Sequence, residues 1–554
     1  MKGFGTEPHQ IKKNIKKTSS QRIQIINLAI KLHSQGKIKE AKKYYQYCIN
    51  QGFNDHKIFS NFGIILQSEG KSKEAEILYR KATHINPNFI EGHLNLGNIL
   101  RILGKFKEAE ISYRKAIQLN PNFAETHLNL SNILRSQGKL KEAESSILKA
   151  IKLNPNFAEA HLNLGNILLE LEDFQNAESS TQKAIQINPN FAEAYLNLGN
   201  ILQNLGKFKE AEISYRKAIQ LNPKFTEAHL NLGKLLKNLG KLKEAESSIL
   251  KSIQFNPNLP ESHSTMGSIL ISLGQFKEAE LSLLKATELN PKLYNAYYSL
   301  SILNTSNQIT NWKDKLFSEK IIKNSSQKDQ INIYFARANI LHKDKNFKES
   351  ATNLKQANEL KVALKPSQSD ALIEKSKNLF IESKKTRIYE KGKKIYPQSI
   401  FIVGMPRSGS TLIESILSMN SNVQDLEEIN ILEESFEEQS KHPKSSALAD
   451  LYWQKVKNNK KKLKTTTNKW LYNYQYSGII ASQIPNVKII HSYRNPLDNI
   501  LSIYRTHFTK RNKYSSSLVD CAKVYLDQEY IMNKYKAEFP SMIYNLDYDL
   551  LVNN

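Results

Sequence analysis

The segment Gly404-Met-Pro-Arg-Ser-Gly409-Ser-Thr411 has residue types and a spacing suited to holding a phosphate-like anion. Its two glycines match the Gly-x-x-x-x-Gly spacing of a nucleotide phosphate loop, but Ser410 stands where such loops carry lysine. Glycine-containing backbone between a strand and a helix presents N–H groups to an anion, and the helix dipole adds to the attraction. Losing the lysine removes the usual clamp on a terminal phosphate. Arg407 supplies a charged fork inside the loop instead, suited to a phosphate or phosphosulfate. Further along, Arg494 is followed eight residues later by Ser502. On a strand–turn–helix frame both side chains could turn toward one phosphate, as a guanidinium fork and a hydroxyl donor.

Both candidates need elements that position them. Ile400-Phe-Ile-Val403 is a short, wholly apolar run ending in Gly404, the pattern of a buried parallel strand, and helical spacing follows from Thr411 to Met419. Val487-Lys-Ile-Ile490 reads as a second strand, with a turn and a helix from about Leu497 to Tyr504. Repeated strand, turn and helix predicts an α/β layer with a parallel sheet from residue 399 onward.

The two motifs in this order resemble the 5′-phosphosulfate loop and 3′-phosphate site of sulfotransferases that use 3′-phosphoadenosine 5′-phosphosulfate (PAPS). Pro406-Arg-Ser-Gly-Ser-Thr411 is most similar to the Pro-Arg-Ser-Gly-Thr-Thr of the tyrosylprotein sulfotransferase-like branch. The resemblance implies that Arg407, Ser408, Gly409, Ser410 and Thr411 hold the 5′-phosphosulfate, and Arg494 and Ser502 the 3′-phosphate. It also implies a glutamate base in Val423-Gln-Asp-Leu-Glu-Glu428, where Glu428 aligns better. Glu427 replaces the glycine of bacterial members, which leaves the choice between the two carboxylates open. The lysine that stabilises the departing phosphate corresponds to Lys469 in Asn468-Lys-Trp470, with Leu471 where a proline commonly follows. Arg407 and Lys469 would neutralise charge on the sulfonate and the bridging oxygen, and Glu428 would take the acceptor proton. No metal is expected. Asp547-Tyr-Asp-Leu-Leu-Val-Asn-Asn554 resembles the family's Tyr-Glu-Asp-Leu strand and turn, beyond which relatives continue. The expectation is a domain incomplete at its C-terminus and a poor catalyst. The branch favours tyrosine in a protein as acceptor. The alternative is a protein-interaction scaffold whose appended domain is inactive.

Ahead of this region the sequence repeats itself. Asn-Pro pairs begin at residues 86, 120, 154, 188, 222, 256 and 290, each 34 apart. In the frame 90–123, Leu96, Gly97 and Leu100 fall on one helix, and Ala109, Tyr113 and Ala116 on the next. These are the small and large positions of the tetratricopeptide repeat, and bacterial proteins with such repeats ahead of a sulfotransferase domain resemble the whole chain. Small residues belong where the helices cross, Gly104 turns the chain, and Pro121 is expected to open the following helix. The expected architecture is therefore an α solenoid followed by an α/β, phosphate-loop, parallel-sheet domain. Its divisions are a basic segment 1–21, repeats over 22–364 (best over 56–293), a helical connector 365–398, and the domain from 399 to 554.

Frame position six carries Asn61, Asn95, Asn129, Asn163, Asn197 and Asn231. A ladder of amides on the groove-lining helices could bind an extended peptide acceptor irrespective of sequence, similar to the asparagine ladder of O-GlcNAc transferase. Equally, asparagine is this chain's common polar residue. A glycosyl-transfer reading rests on the repeats alone. The recurring His93, His127, His161 and His229 share a packing position and read as core-edge residues. Lys+Arg 79 against Asp+Glu 53 gives a net charge of +26. Lysines alternate with acids in every repeat, as in Lys105-Phe-Lys-Glu-Ala-Glu, the pattern of a solvated helix face, so no nucleic-acid partner is expected. The only unbroken run is the short Lys460-Lys-Lys462. Cys48 and Cys521 make neither a disulfide framework nor a metal spacing. No secretory signal or membrane span is read, and the expected location is the cytoplasm.

Overall fold

The computed structural model describes residues 19–303, 311–385, 395–426, 428–441, 447–459, 465–508 and 512–553. Glu427 and the run 460–462 lie outside them, as does most of the basic segment 1–21. The chain divides into two compact units, Met1–Asn238 and Leu239–Asn554.

The first unit is a succession of antiparallel helix pairs, of which Ile90–Ile102 with Phe106–Leu119 is typical. A Cβ on Gly97 would come within 2.7 Å of the Tyr113 ring, so glycine is what lets that ring enter the crossing. Ala109 and Tyr113 are fully buried, and the Tyr113 hydroxyl donates to Asn98 Oδ1 at 2.6 Å. Gly104, at φ +73°, reverses the chain between the two helices.

The Asn-Pro corner differs from the expectation. Pro121 does not open a helix; the helix runs Ala124–Ser136 and the proline stands in the turn before it. Asn120 Oδ1 accepts from the Asn122 N–H, an Asx turn, and the carbonyl of Pro121 accepts from His127 Nε2 at 3.0 Å. The same bond joins His93 to Pro87, His161 to Pro155 and His229 to Pro223. The recurring histidines thus fasten each corner to the helix that follows it.

The alternating charges pair between successive repeats. Lys105 meets Glu76 at 2.7 Å, Lys139 meets Glu110 at 2.8 Å and Arg114 meets Glu142 at 2.8 Å. Burial pushes Glu76 up, yet Lys105 and Arg80 outweigh it and hold its carboxyl below the usual range. The asparagine row faces inward in part: Asn95 donates to Ser60 Oγ, Asn197 to Thr181 Oγ1 and Asn231 to Asn200 Oδ1.

The second unit opens with further helix pairs, from Leu242–Phe255 to Phe347–Leu364, and ends in a layered sheet domain. Five parallel strands, β1 (Gln398–Gly404), β2 (Val423–Asp425), β3 (Thr465–Asn468), β4 (Val487–Tyr493) and β5 (Ile543–Asp547), lie in the order β2-β3-β1-β4-β5. Gly404 stands beside Ser492, and Phe401 beside Asn468. The β3 run Thr465-Thr-Thr-Asn468 is polar but buried: β-branched threonines suit the pleat, and Thr466 donates to Ser399 Oγ at 3.3 Å. The segment expected as a connector forms the helix Ser369–Lys385, which packs on the sheet domain. Its Leu379 joins a core with Phe401, Tyr474 and Tyr535, and its Leu372 carbonyl accepts from Gln475 Nε2 at 2.9 Å.

Candidate active site

Every strand delivers a candidate residue at its carboxyl end, the edge where open α/β sheets bind ligands. The loop 405–409 follows β1, Glu428 lies just past β2, Lys469 follows β3, Arg494 follows β4, and Tyr548 and Asp549 follow β5. The chain turns to opposite sides of the sheet after β1 and after β4, so these neighbours flank the switch point.

The loop is held to β4 and to the helix after it. Ser492 Oγ donates to the Ser408 carbonyl at 2.5 Å, and Asn499 Nδ2 donates to the Pro406 carbonyl at 3.1 Å. A Cβ on Gly404 would approach the Ser492 carbonyl to 2.3 Å. Gly409 adopts φ +88° as the N-cap of the helix Ser410–Ser418, and a Cβ there would sit 1.9 Å from the Tyr548 ring. Arg407 is also left-handed, at φ 69°. A non-glycine residue in that conformation marks a strained position, common at ligand sites.

The two motifs meet. Arg407 Nε donates to Ser502 Oγ at 3.2 Å, although 95 residues separate them. Arg407, Gly409, Ser410, Thr411, Glu428 and Arg494 all line one cavity of about 420 Å³. The same cavity has an aromatic lining that includes Trp470, Tyr472, Phe508, Tyr514 and Tyr548. Ser408 is not on this surface; its side chain is buried beneath the loop, next to Gly404. Neither Ser502 nor Lys469 is among the residues that line the cavity; Ser502 is joined to the lining through its bond to Arg407.

Arg494 Nε donates to Asp549 Oδ1 at 3.1 Å, and its guanidinium lies 5.4 Å from the centre of the Tyr548 ring. Asp549 also accepts from the Asn495 N–H at 3.0 Å. The Arg494 carbonyl accepts from the Tyr525 hydroxyl. Lys469 is buried, with Nζ 3.0 Å from Thr411 Oγ1, 3.3 Å from Glu428 Oε1 and 3.6 Å from Glu414 Oε2. The Glu428 side chain is 54% exposed, whereas Glu414 is buried and burial pushes its carboxyl up, against the opposing charge of Lys469. Motif reading reached Glu428 and Lys469. It missed Glu414, one helical turn past Thr411, and it missed the aromatic wall.

Such a site offers backbone amides at a helix start, two arginines and a carboxylate around one cavity, with a buried lysine beside the carboxylate. Anion binding and proton transfer to Glu428 are within its reach. Among the described residues no group of three or more His, Cys, Asp or Glu could hold a metal ion, and no helix is long and apolar enough to cross a membrane. Both cysteines are buried as free thiols.

Residues 397–446 and 431–554 match the sulfotransferase family. Residues 90–123, 158–191 and 192–225 match the tetratricopeptide repeat, as do 112–145 and 214–247, and 260–293. An uncharacterized protein of Aquifex aeolicus is 30% identical over 175 residues, which is 27% of this chain and 23% of that protein. The chain thus spans under a quarter of the length of that relative. Among solved structures, YrrB, a repeat protein with an unusual peptide-binding site, is 27% identical over 34% of this chain and 96% of its own, with a TM-score of 0.28. A tetratricopeptide repeat protein of Parabacteroides merdae is 20% identical over 45% of this chain and 98% of its own, with a TM-score of 0.39. The chain carries tetratricopeptide repeats and, at its C-terminal end, a parallel-sheet region that matches the sulfotransferase family.

Proposed function

We propose that the sheet domain transfers a sulfuryl group from PAPS to a hydroxyl acceptor, with protein tyrosine as the favoured acceptor and the repeats as the part that recruits it. The observation that carries this reading is that Arg407, Glu428 and Arg494, from the ends of three strands, line one cavity, with Ser502 bonded to Arg407 and the buried Lys469 beside Glu428. Each has a role it can perform from where it stands. Arg407 and the loop 407–411 bind the phosphosulfate end of the donor, and Arg494 with Ser502 binds the 3′-phosphate. Arg494 now faces Asp549, so a bound phosphate would compete with that carboxylate for the guanidinium. Glu428 takes the acceptor proton, and Lys469 donates to the bridging oxygen as charge builds there. Attacking and leaving oxygens lie in line in such transfers, so positioning and charge stabilisation do most of the work.

For the repeats, the supporting observation is a row of amides that are half-buried except at Asn197, which is buried. Asn95, Asn197 and Asn231 spend an N–H on their neighbours, which fixes these amides in orientation. We place the peptide on Asn61, Asn95, Asn129, Asn163, Asn197 and Asn231. The test is incubation with PAPS and tyrosine-containing peptides, followed by mass spectrometry. A product one SO3 heavier, lost in Glu428→Gln and Lys469→Ala, supports the reading. Folded protein that binds the donor but modifies no hydroxyl of any tested class favours the scaffold.

A further inference from the structure

Lys469 is enclosed by protein. Its Nζ contacts with Thr411, Glu428 and Glu414 compensate the burial of its charge, and the two carboxylates differ in kind. Glu428 stands on the cavity side, half-exposed. Glu414 lies behind, on the helix Ser410–Ser418 one turn past Thr411, and its Oε1 accepts from Thr467 Oγ1 at 3.2 Å. Thr467 is two residues before Lys469 on β3, so one strand supplies both the lysine and the hydroxyl that aims its counter-charge. We infer that Glu414 is a positioning residue, a fixed counter-charge that keeps the Lys469 ammonium charged and in place while Glu428 changes its protonation.

The inference rests on the sulfuryl-transfer reading and deepens it. During transfer the acceptor oxygen bonds to sulfur and the bridging S–O bond breaks. The electron pair of that bond stays on the 5′-phosphate, and the hydroxyl proton goes to Glu428. Glu428 thereby loses the charge that had faced Lys469. With Glu428 as sole partner, the lysine would lose its counter-ion at the moment it must donate to the leaving oxygen. Glu414 prevents this, because it is remote from the acceptor and keeps its charge through the step. A buried carboxylate is costly unless paired, and an apolar residue would fit this helix face more cheaply. Burial pushes Glu414 up, Asp425 on β2 adds to that push, and Lys469 and Thr467 oppose it. Among the described residues, the charged groups facing the Glu414–Lys469 pair are Glu428 and Asp425.

The product 3′-phosphoadenosine 5′-phosphate (PAP) carries the 5′-phosphate to which Lys469 would donate, so its affinity reads the lysine without an acceptor. Calorimetric titration at neutral pH should show Glu414→Gln binding PAP about tenfold more weakly than the wild type. In Lys469→Ala, adding Glu414→Gln should change nothing further, which a merely structural role of Glu414 would not give. Thr467→Val keeps the carboxylate but frees it, and should weaken binding by less; it carries the test if Glu414→Gln does not fold. Unchanged affinity in Glu414→Gln, or an equal loss with and without Lys469, overturns the role of Glu414 alone. A wild-type chain that does not bind PAP overturns the sulfotransferase reading and this inference with it.

Discussion

The repeats and the sheet domain stabilise their structures in opposite ways. In the repeats each contact has copies: Tyr79, Tyr113 and Tyr215 fill equivalent crossings, and the His–Pro corner bond recurs at His93, His127, His161 and His229. In the sheet domain the contacts are single. One loop is tied by Ser492, Asn499 and Tyr548, and one lysine sits between two carboxylates. Repetition spreads stability along nearest neighbours, so a local defect stays local. Convergence makes a site, and concentrates sensitivity in a few atoms.

Substitutions can sharpen or break that contrast. The largest effect is expected at the phosphate loop. Gly409→Val would drive a side chain into Tyr548 from a left-handed backbone, and PAP affinity should fall about 100-fold or more, roughly 2.7 kcal/mol, with the repeats' helical signal intact. Next, Tyr113→Ala empties one fully buried crossing and should cost about 3–5 kcal/mol of stability in denaturant titration, while PAP binding is unchanged. A change in PAP affinity would break the comparison.

A third test uses pH on the second unit. His507 is buried against Phe335, with ring centres 4.7 Å apart, and burial, helped by the charge of Lys361, lowers its pKa to about 4. A depressed histidine contributes stability that is complete above its ordinary value of 6.5 and is lost as pH falls toward about 4. Acidification through that window should lower the melting temperature, and His507→Phe should remove most of the slope. The smallest effect belongs to the exposed ion pairs: Arg114→Ala should change stability by about 0–1 kcal/mol, since solvent screens the two pairs it loses and Glu110 keeps its pair with Lys139.

The sequence made the repeats legible because period and residue size alone specify a crossing, as Gly97 and Tyr113 show. It was blind to Pro121, since a proline before a helix fits either the first turn or the corner, and the deciding bond to His127 is tertiary. In the sheet domain β1 and β4 were visible as apolar runs. β3 was not, because its threonines are buried by partners that the local pattern does not reveal, Ser399 and Glu414 among them. The same limit hid the packing of Ser369–Lys385, whose helical pattern was legible while Gln475 and Tyr535 lie far along the chain. Motif residues were readable by spacing; Glu414 and the aromatic wall required the fold.

The central claim is that Arg494 and the loop around Arg407 form a working nucleotide site. It is tested most directly by titrating the purified chain with PAP and following its melting temperature, for the wild type and for Arg494→Ala. A ligand of the folded state raises that temperature with concentration. The account predicts a saturable rise in the wild type that Arg494→Ala abolishes or greatly weakens. No rise in the wild type, or an equal rise in both, would contradict it.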